Sequence, residues 1–343
     1  MPLLVVDGNA VSRTWTMTKA AEQRLRAEAP PGWDVYFVEA QTSSDGDGPR
    51  GSSEEVMREI PKADVYLGFG IPRPLYLAAK RLRWVHSAAA GVGNALYPEM
   101  LDGDVVLTNS AGVHAIPIAE YIVAGVLYFF RGLDIAVKQQ RHGEWDKAPF
   151  VGEQSPLREI GHACVLVVGT GGIGSEAARR LTALGANCVG VRRRASLGTP
   201  DGFARVIGFE AIDGELQKAD VVVLAAPLTE QTRGILNAQR LDMLRPAAVI
   251  VNVARGALVD EAALIDHLTD GRIRGAALDV FQEEPLASGS PLWQLRSVLV
   301  TPHISPVSPG RFWARELDLF LDNWRRFTRG EPLRNLVDKR AGY

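Results

Sequence analysis

Val165-Leu166-Val167-Val168-Gly169-Thr170-Gly171-Gly172-Ile173-Gly174 is the stretch whose reading decides the fold. An apolar β-type run passes directly into G-x-G-x-x-G, and the residues after it, 175–184, have helical periodicity. Each glycine answers a physical need: Gly169 permits a tight turn, Gly171 lets backbone N–H groups approach a pyrophosphate, and Gly174 lets the following helix pack against the strand. The helix N-terminus then faces the anion with the positive end of its dipole. A strand, this turn and a helix in that order predict a dinucleotide-binding unit.

Working outward, short apolar runs recur at 188–191, 221–224, 248–251, 276–280 and 298–300, and earlier at 3–6, 35–38, 65–67, 84–86 and 105–107. Helix-like or loop segments separate most of them. The expectation is an α/β protein with doubly wound, mostly parallel sheets. At 343 residues and 37.2 kDa the chain has room for about two domains. A last helix is expected over 311–329, with Phe312, Arg315, Leu319 and Trp324 at roughly helical spacing and Gly330 as the stop. The Gly-, Ser- and Asp-rich insertion at 42–53 reads as an exposed loop.

Composition narrows the function classes. With 46% hydrophobic and 23% charged residues, the chain resembles an ordinary globular protein, and a formal net charge of −2 gives no field to attract nucleic acid or anionic lipid. The apolar stretch 116–130 is too short to span a bilayer and contains Pro117, Glu120 and Gly125, so a membrane partner is not expected. Cys164 and Cys188 both sit in β-type runs, which suits buried free thiols in a reducing compartment, the cytoplasm, and no metal site is expected.

An NAD-type site carries an Asp or Glu about 20 residues beyond the glycines to bind the ribose 2′-hydroxyl. Here the next strand ends in Arg192-Arg193-Arg194, and no acid follows until Asp201. Guanidinium forks suit a 2′-phosphate, so NADP(H) is favoured and NAD(H) is possible. The alternative reading is a solvated strand end.

Three segments fall at the ends of the last expected strands, where α/β sheets place their ligands. They are Asn252-Val253-Ala254-Arg255-Gly256, Asp279-Val280-Phe281-Gln282-Glu283-Glu284-Pro285 and Thr301-Pro302-His303-Ile304-Ser305. Together they supply what reduction of a 2-keto acid requires. Arg255 clamps the carboxylate and polarises the keto oxygen, His303 donates the proton, and Glu284 favours the imidazolium form of His303.

These motifs resemble the D-isomer-specific 2-hydroxyacid dehydrogenase family. The resemblance runs from Ala88-Ala89-Ala90-Gly91-Val92-Gly93 to Gly330-Glu331-Pro332-Leu333-Arg334-Asn335, with Val253-Ala254-Arg255-Gly256-Ala257-Leu258-Val259-Asp260, Ala277-Leu278-Asp279-Val280-Phe281 and Pro302-His303-Ile304 as its most specific segments. It implies that Arg255, Glu284 and His303 are a catalytic triad and that Asp279 and Val253 lie at the cofactor. It further implies that Val92 and Gly93 hold the substrate carboxylate through backbone N–H groups. The pyrophosphate would lie over Gly171, Gly172 and Ile173, with Pro227 and Thr232 bordering the nucleotide.

The same resemblance implies Rossmann-like and flavodoxin-like domains: a substrate domain of 1–110 plus 305–343, into which a cofactor domain of 111–304 is inserted. It also implies a homodimer formed through the 116–131 helix and the arm after it. Trp145 on that arm is expected to pack, the alternative being an approach to the partner's active site. His114 is expected to be a satisfied hinge residue.

Formate dehydrogenases carry Gln where this chain has Glu284, and the chain leaves no room after His303 for the regulatory domain of many phosphoglycerate dehydrogenases. The expectation is therefore a reductase using NADPH on a small 2-oxo acid such as glyoxylate or hydroxypyruvate. The alternatives weighed are NAD-dependent oxidation of a D-2-hydroxy acid and a nucleotide-sensing scaffold resembling C-terminal binding proteins.

Overall fold

The structure is a computed structural model that describes residues 1–42 and 51–342. The chain packs into two compact units, Met1–His114 with Val307–Tyr343, and Ala115–Pro306.

In the first unit five parallel strands, β1 (Leu3–Asp7), β2 (Asp34–Phe37), β3 (Val65–Gly68), β4 (Trp84–Ser87) and β5 (Val106–Asn109), lie in the order β2-β1-β3-β4-β5. Strand β1 pairs with both β2 and β3, so the winding reverses there. Leu4 and Val6 face one layer while Val5 faces the other, and all three are buried, which is why the run carries no polar alternation.

The Phe312–Arg329 helix covers the Leu4 face. Its buried stripe is Phe312, Glu316, Phe320 and Trp324 with Trp313, Leu317 and Leu321. Arg315 and Leu319, named from the sequence spacing, are only half-buried, because the i, i+4 row and not the chosen positions meets the sheet. Glu316 is inside a hydrophobic layer for a reason: its Oε1 meets His86 Nε2 at 2.9 Å, both side chains are fully buried, and His86 Nδ1 lies 2.7 Å from Thr108 Oγ1. The pair ties β4 to the last helix.

The second unit has seven parallel strands: β6 (Cys164–Val168), β7 (Asn187–Val191), β8 (Arg205–Ile207), β9 (Val221–Leu224), β10 (Val249–Asn252), β11 (Gly275–Leu278) and β12 (Val298–Val300). Their order is β12-β11-β10-β9-β6-β7-β8, with the reversal between β6 and β9. The Ala115–Phe130 and Gly172–Ala183 helices share one face of this sheet.

Some sequence expectations need correction. Strand β8 was not foreseen, since it is three residues long, begins with an exposed arginine and, among the described residues, pairs only with β7. Cys188 is buried as expected, but Cys164, at the start of β6, is only half-buried. Trp145 does not pack within the chain: it is 91% exposed. Residues 43–50 of the insertion lie outside the described residues, and Thr42 at its start is buried, donating to Asp7 Oδ1 at 2.6 Å, because that carboxylate needs a partner inside the unit. Among the described residues no single helix is long and apolar enough to cross a membrane.

Candidate active site

The glycine turn sits at the end of β6. Gly169 has φ +103°, a left-handed conformation that a side chain would strain, and a Cβ there would lie 2.5 Å from Ala225 O. A Cβ on Gly174 would lie 1.9 Å from Gly169 O, so only glycine allows the helix to close on the strand. A Cβ on Gly171 would meet nothing within 4 Å, so this backbone borders open space at the head of a helix spanning Gly172–Ala183. That is a cradle shaped for a pyrophosphate.

The neighbouring strand β7 ends at Val191, where Arg192 N donates to Ile207 O at 3.0 Å. Arg192 is half-buried and also donates to Gly198 O, while its Nε is buried with no hydrogen-bond partner among the described residues. Arg193 and Arg194 are exposed. Beyond β9, buried Thr232 donates through Oγ1 to Pro227 O at 2.7 Å, which fixes the loop of residues 225–232. The open glycine cradle fits the pyrophosphate of a nicotinamide dinucleotide.

The other strand ends bring the acid, the base and the arginine together. Asn252 at the end of β10 donates to Arg255 O at 3.1 Å and so shapes the turn that presents Arg255, whose own Nη1 donates to Ala254 O at 2.7 Å. The next residue, Gly256, has no room for a side chain: a Cβ would stand 1.9 Å from the carbonyl carbon of Phe281. The Arg255 turn therefore lies directly on the backbone that leads to Glu284.

Glu284 Oε1 accepts from Phe281 N at 3.0 Å, and its Oε2 faces His303 Nδ1 at 2.8 Å. Burial pushes the Glu284 carboxyl up, but the hydrogen bonds from His303 and Phe281 N, with the charges of His303 and Arg255, hold it below its ordinary value. It is a carboxylate built to sit beside an imidazolium.

His303 is held in a left-handed backbone conformation, φ +52°, which for a non-glycine residue costs about 1–2 kcal/mol and persists only where the surroundings fix it. Asp279, fully buried, fixes it. Its carbonyl accepts from His303 N at 3.0 Å, its Oδ1 from Ile304 N at 2.8 Å and Thr301 Oγ1 at 2.6 Å, and its Oδ2 from Ser305 N at 2.8 Å. Thr301 Oγ1 also lies 2.7 Å from the Tyr121 hydroxyl. Neither Thr301 nor Tyr121 was among the residues singled out from the sequence; Thr301 stands in the quoted Thr-Pro-His, whereas Tyr121 is 180 positions away and left no signal.

Val253 is buried, with its N–H directed to Leu224 O at 3.4 Å. Val92 and Gly93 belong to the first unit, in the loop beyond β4, where Val92 is buried and Gly93 exposed. In that same unit His114 stacks on Phe312, with ring centroids 5.1 Å apart, and meets Trp15 edge-on. Among the described residues no group of His, Cys, Asp and Glu is placed to hold a metal ion.

Two parallel-sheet units, one with this glycine turn, define a Rossmann-type nucleotide-binding α/β protein. Comparison with known proteins agrees. Residues 123–305 match the family described as "D-isomer specific 2-hydroxyacid dehydrogenase, NAD binding domain". The chain belongs to the D-isomer specific 2-hydroxyacid dehydrogenase family.

It is 33% identical over 258 residues to D-3-phosphoglycerate dehydrogenase of Methanocaldococcus jannaschii, covering 74% of this chain but 47% of that protein, so it spans about half the length of this relative. It is also 33% identical over 276 residues to glyoxylate/hydroxypyruvate reductase A of Salmonella newport, covering 78% of this chain and 84% of that one. A crystal structure of a D-isomer specific 2-hydroxyacid dehydrogenase from Xanthobacter autotrophicus in complex with NADPH and MES superposes with a TM-score of 0.79 at 32% identity, covering 100% of this chain and 99% of that one.

Proposed function

We propose that this protein is an NADPH-dependent reductase of small 2-oxo acids, of the glyoxylate or hydroxypyruvate kind, and so a D-2-hydroxyacid dehydrogenase in the reverse direction. The observation that carries the reading is the 2.8 Å contact between His303 Nδ1 and Glu284 Oε2, beside Arg255 at the strand ends of the unit that bears the glycine turn. Similarity to a Salmonella glyoxylate/hydroxypyruvate reductase and to an NADPH-bound relative supports it.

In this reading Arg192, Arg193 and Arg194 meet the 2′-phosphate, Gly169 to Gly174 cradle the pyrophosphate, and Pro227, Thr232, Val253 and Asp279 border the nucleotide. A reduced nicotinamide, when bound, supplies the hydride. The Arg255 guanidinium binds the substrate carboxylate and stabilises charge gathering on the keto oxygen, while the backbone N–H groups of Val92 and Gly93 are the first unit's own candidates for holding a carboxylate. With Nδ1 engaged by Glu284, His303 delivers its proton from Nε2 to that oxygen, giving the hydroxyl of the product. Met1–His114 with Val307–Tyr343 acts as the substrate domain and Ala115–Pro306 as the cofactor domain. The exposed Trp145 and Leu133, on the arm after the Ala115–Phe130 helix, support assembly as a homodimer.

The test is the initial rate of reduced-nicotinamide loss with NADPH and NADH in parallel, against glyoxylate, hydroxypyruvate, pyruvate and phenylpyruvate. Turnover favouring NADPH supports the proposal. Tight nucleotide binding with no turnover on any keto acid overturns it in favour of a sensing role.

A further inference from the structure

Three side chains stand in line from a helix to the turn that carries His303. Tyr121, on the Ala115–Phe130 helix, has its hydroxyl 2.7 Å from Thr301 Oγ1, Thr301 Oγ1 is 2.6 Å from Asp279 Oδ1, and the Asp279 carboxylate receives the N–H groups of Ile304 and Ser305 at 2.8 Å each. The donor directions follow from the chemistry. Burial, with the nearby Asp279 charge, pushes the Tyr121 hydroxyl up to about 12 against the lowering effect of Thr301, so it keeps its proton at any working pH. Thr301 has one hydroxyl proton, and the carboxylate at 2.6 Å can only accept it. Tyr121 therefore donates to Thr301, and Thr301 to Asp279.

We propose that Tyr121 is a positioning residue for the general acid: through Thr301 it fixes the Asp279 carboxylate, and so the left-handed turn that points His303 at Glu284. The inference rests on the proposed function in taking His303 as the proton donor. Without the Thr301 hydroxyl, Oδ1 of Asp279 keeps only Ile304 N and Oδ2 only Ser305 N, so the buried carboxylate is held less firmly. The two backbone N–H groups flanking the turn would follow it. With Thr301 donating, itself held by Tyr121, Oδ1 has two donors, and the turn that carries His303 is fixed at that oxygen. Among the described residues the hydrogen bond given for the Tyr121 hydroxyl is the one to Thr301, and it connects Tyr121 to the turn through Asp279.

Tyr121→Phe removes the terminal hydroxyl and keeps the ring. Thr301→Val breaks the chain at its centre, Thr301→Ser restores it, and the Tyr121→Phe/Thr301→Val double variant tests whether the two act as one. On the full-length protein we expect Tyr121→Phe and Thr301→Val each to lower kcat about tenfold, with the double variant no worse, as expected for a sub-ångström misplacement of the acid. The KM for NADPH should stay within about twofold, and Thr301→Ser should be close to wild type.

Wild-type kcat in Tyr121→Phe, fully additive losses, or an equal loss of nucleotide affinity would each overturn the proposal. A readout independent of turnover separates it from the proposed activity: the His303 imidazole signal by NMR, assigned with a His303→Ala variant. Should the wild-type protein reduce no keto acid, the proposed function fails. The positioning role then stands if Tyr121→Phe moves that signal and falls if the two spectra coincide.

Discussion

Replacing Glu284 with Gln removes a charge and keeps the shape of the side chain, so it asks what the carboxylate does for His303. Opposite unit charges about 4 Å apart attract by about 4 kcal/mol at an effective dielectric of 20 and by about 1 kcal/mol in bulk water. With His303 27% and Glu284 34% exposed, solvent screens the pair toward the lower figure. About 1–2 kcal/mol is a fair allowance, which is about one pKa unit on the imidazole. The carboxylate favours the imidazolium, so its loss lowers the His303 pKa.

The alkaline limb of kcat/KM in the reductive direction should therefore move down by about one unit, with about a tenfold loss above both limbs and convergence below them. Because the folded Glu284 lies below its ordinary value of 4.5, its contribution is present above that value and is lost only as pH falls through the lower folded one. The acid side of the wild-type profile should accordingly stay flat through pH 5. The assay is NADPH consumption from pH 5 to 10. A uniform loss at every pH, with the limb unmoved, would refute the electrostatic role and leave Glu284 as a group that only orients the ring.

Other outcomes follow from the same geometry. Changing Arg192 and Arg193 to Gln should raise the KM for NADPH at least about tenfold while that for NADH moves little, since charge-assisted hydrogen bonds to a phosphate are worth about 1.5–3 kcal/mol each; equal changes for both cofactors would refute the 2′-phosphate role. Gly174→Ala puts a Cβ 1.9 Å from Gly169 O and should abolish NADPH binding measured by fluorescence, because the helix can no longer close on β6. Glu316→Ala leaves His86 buried without its 2.9 Å partner and should cost about 1–3 kcal/mol in urea unfolding, and no measurable loss would show the pair to be dispensable.

The parts of this protein that could be read from its sequence are those whose causes are local. Strands buried on both faces of a parallel sheet are continuously apolar, so β6, β9 and β10 stood out, while β8, an edge strand opening with Arg205, did not. The glycines of the nucleotide turn were legible because each is demanded by close approach within a few residues, and Arg255, Glu284 and His303 were legible because their short motifs are specific. The left-handed conformation of His303 was not, since it is imposed by Asp279, 24 positions earlier, and nothing about a histidine signals it. Tyr121 lay further out of reach: in a helix otherwise dominated by Ile, Val, Ala and Phe, a tyrosine reads as packing, and only folding brings its hydroxyl to Thr301. The same holds for Glu316, an acid on a helix that sequence alone would turn to solvent.

His303 is proposed to donate the proton in an NADPH-dependent reduction of a 2-oxo acid. That role is tested most directly by measuring kcat with glyoxylate or hydroxypyruvate, and NADPH affinity by fluorescence, for the wild-type protein and His303→Ala side by side. For His303→Ala we expect a loss in kcat of about 100-fold or more, the usual scale of general acid catalysis, with NADPH affinity nearly unchanged. Turnover in His303→Ala near that of the wild type would contradict it.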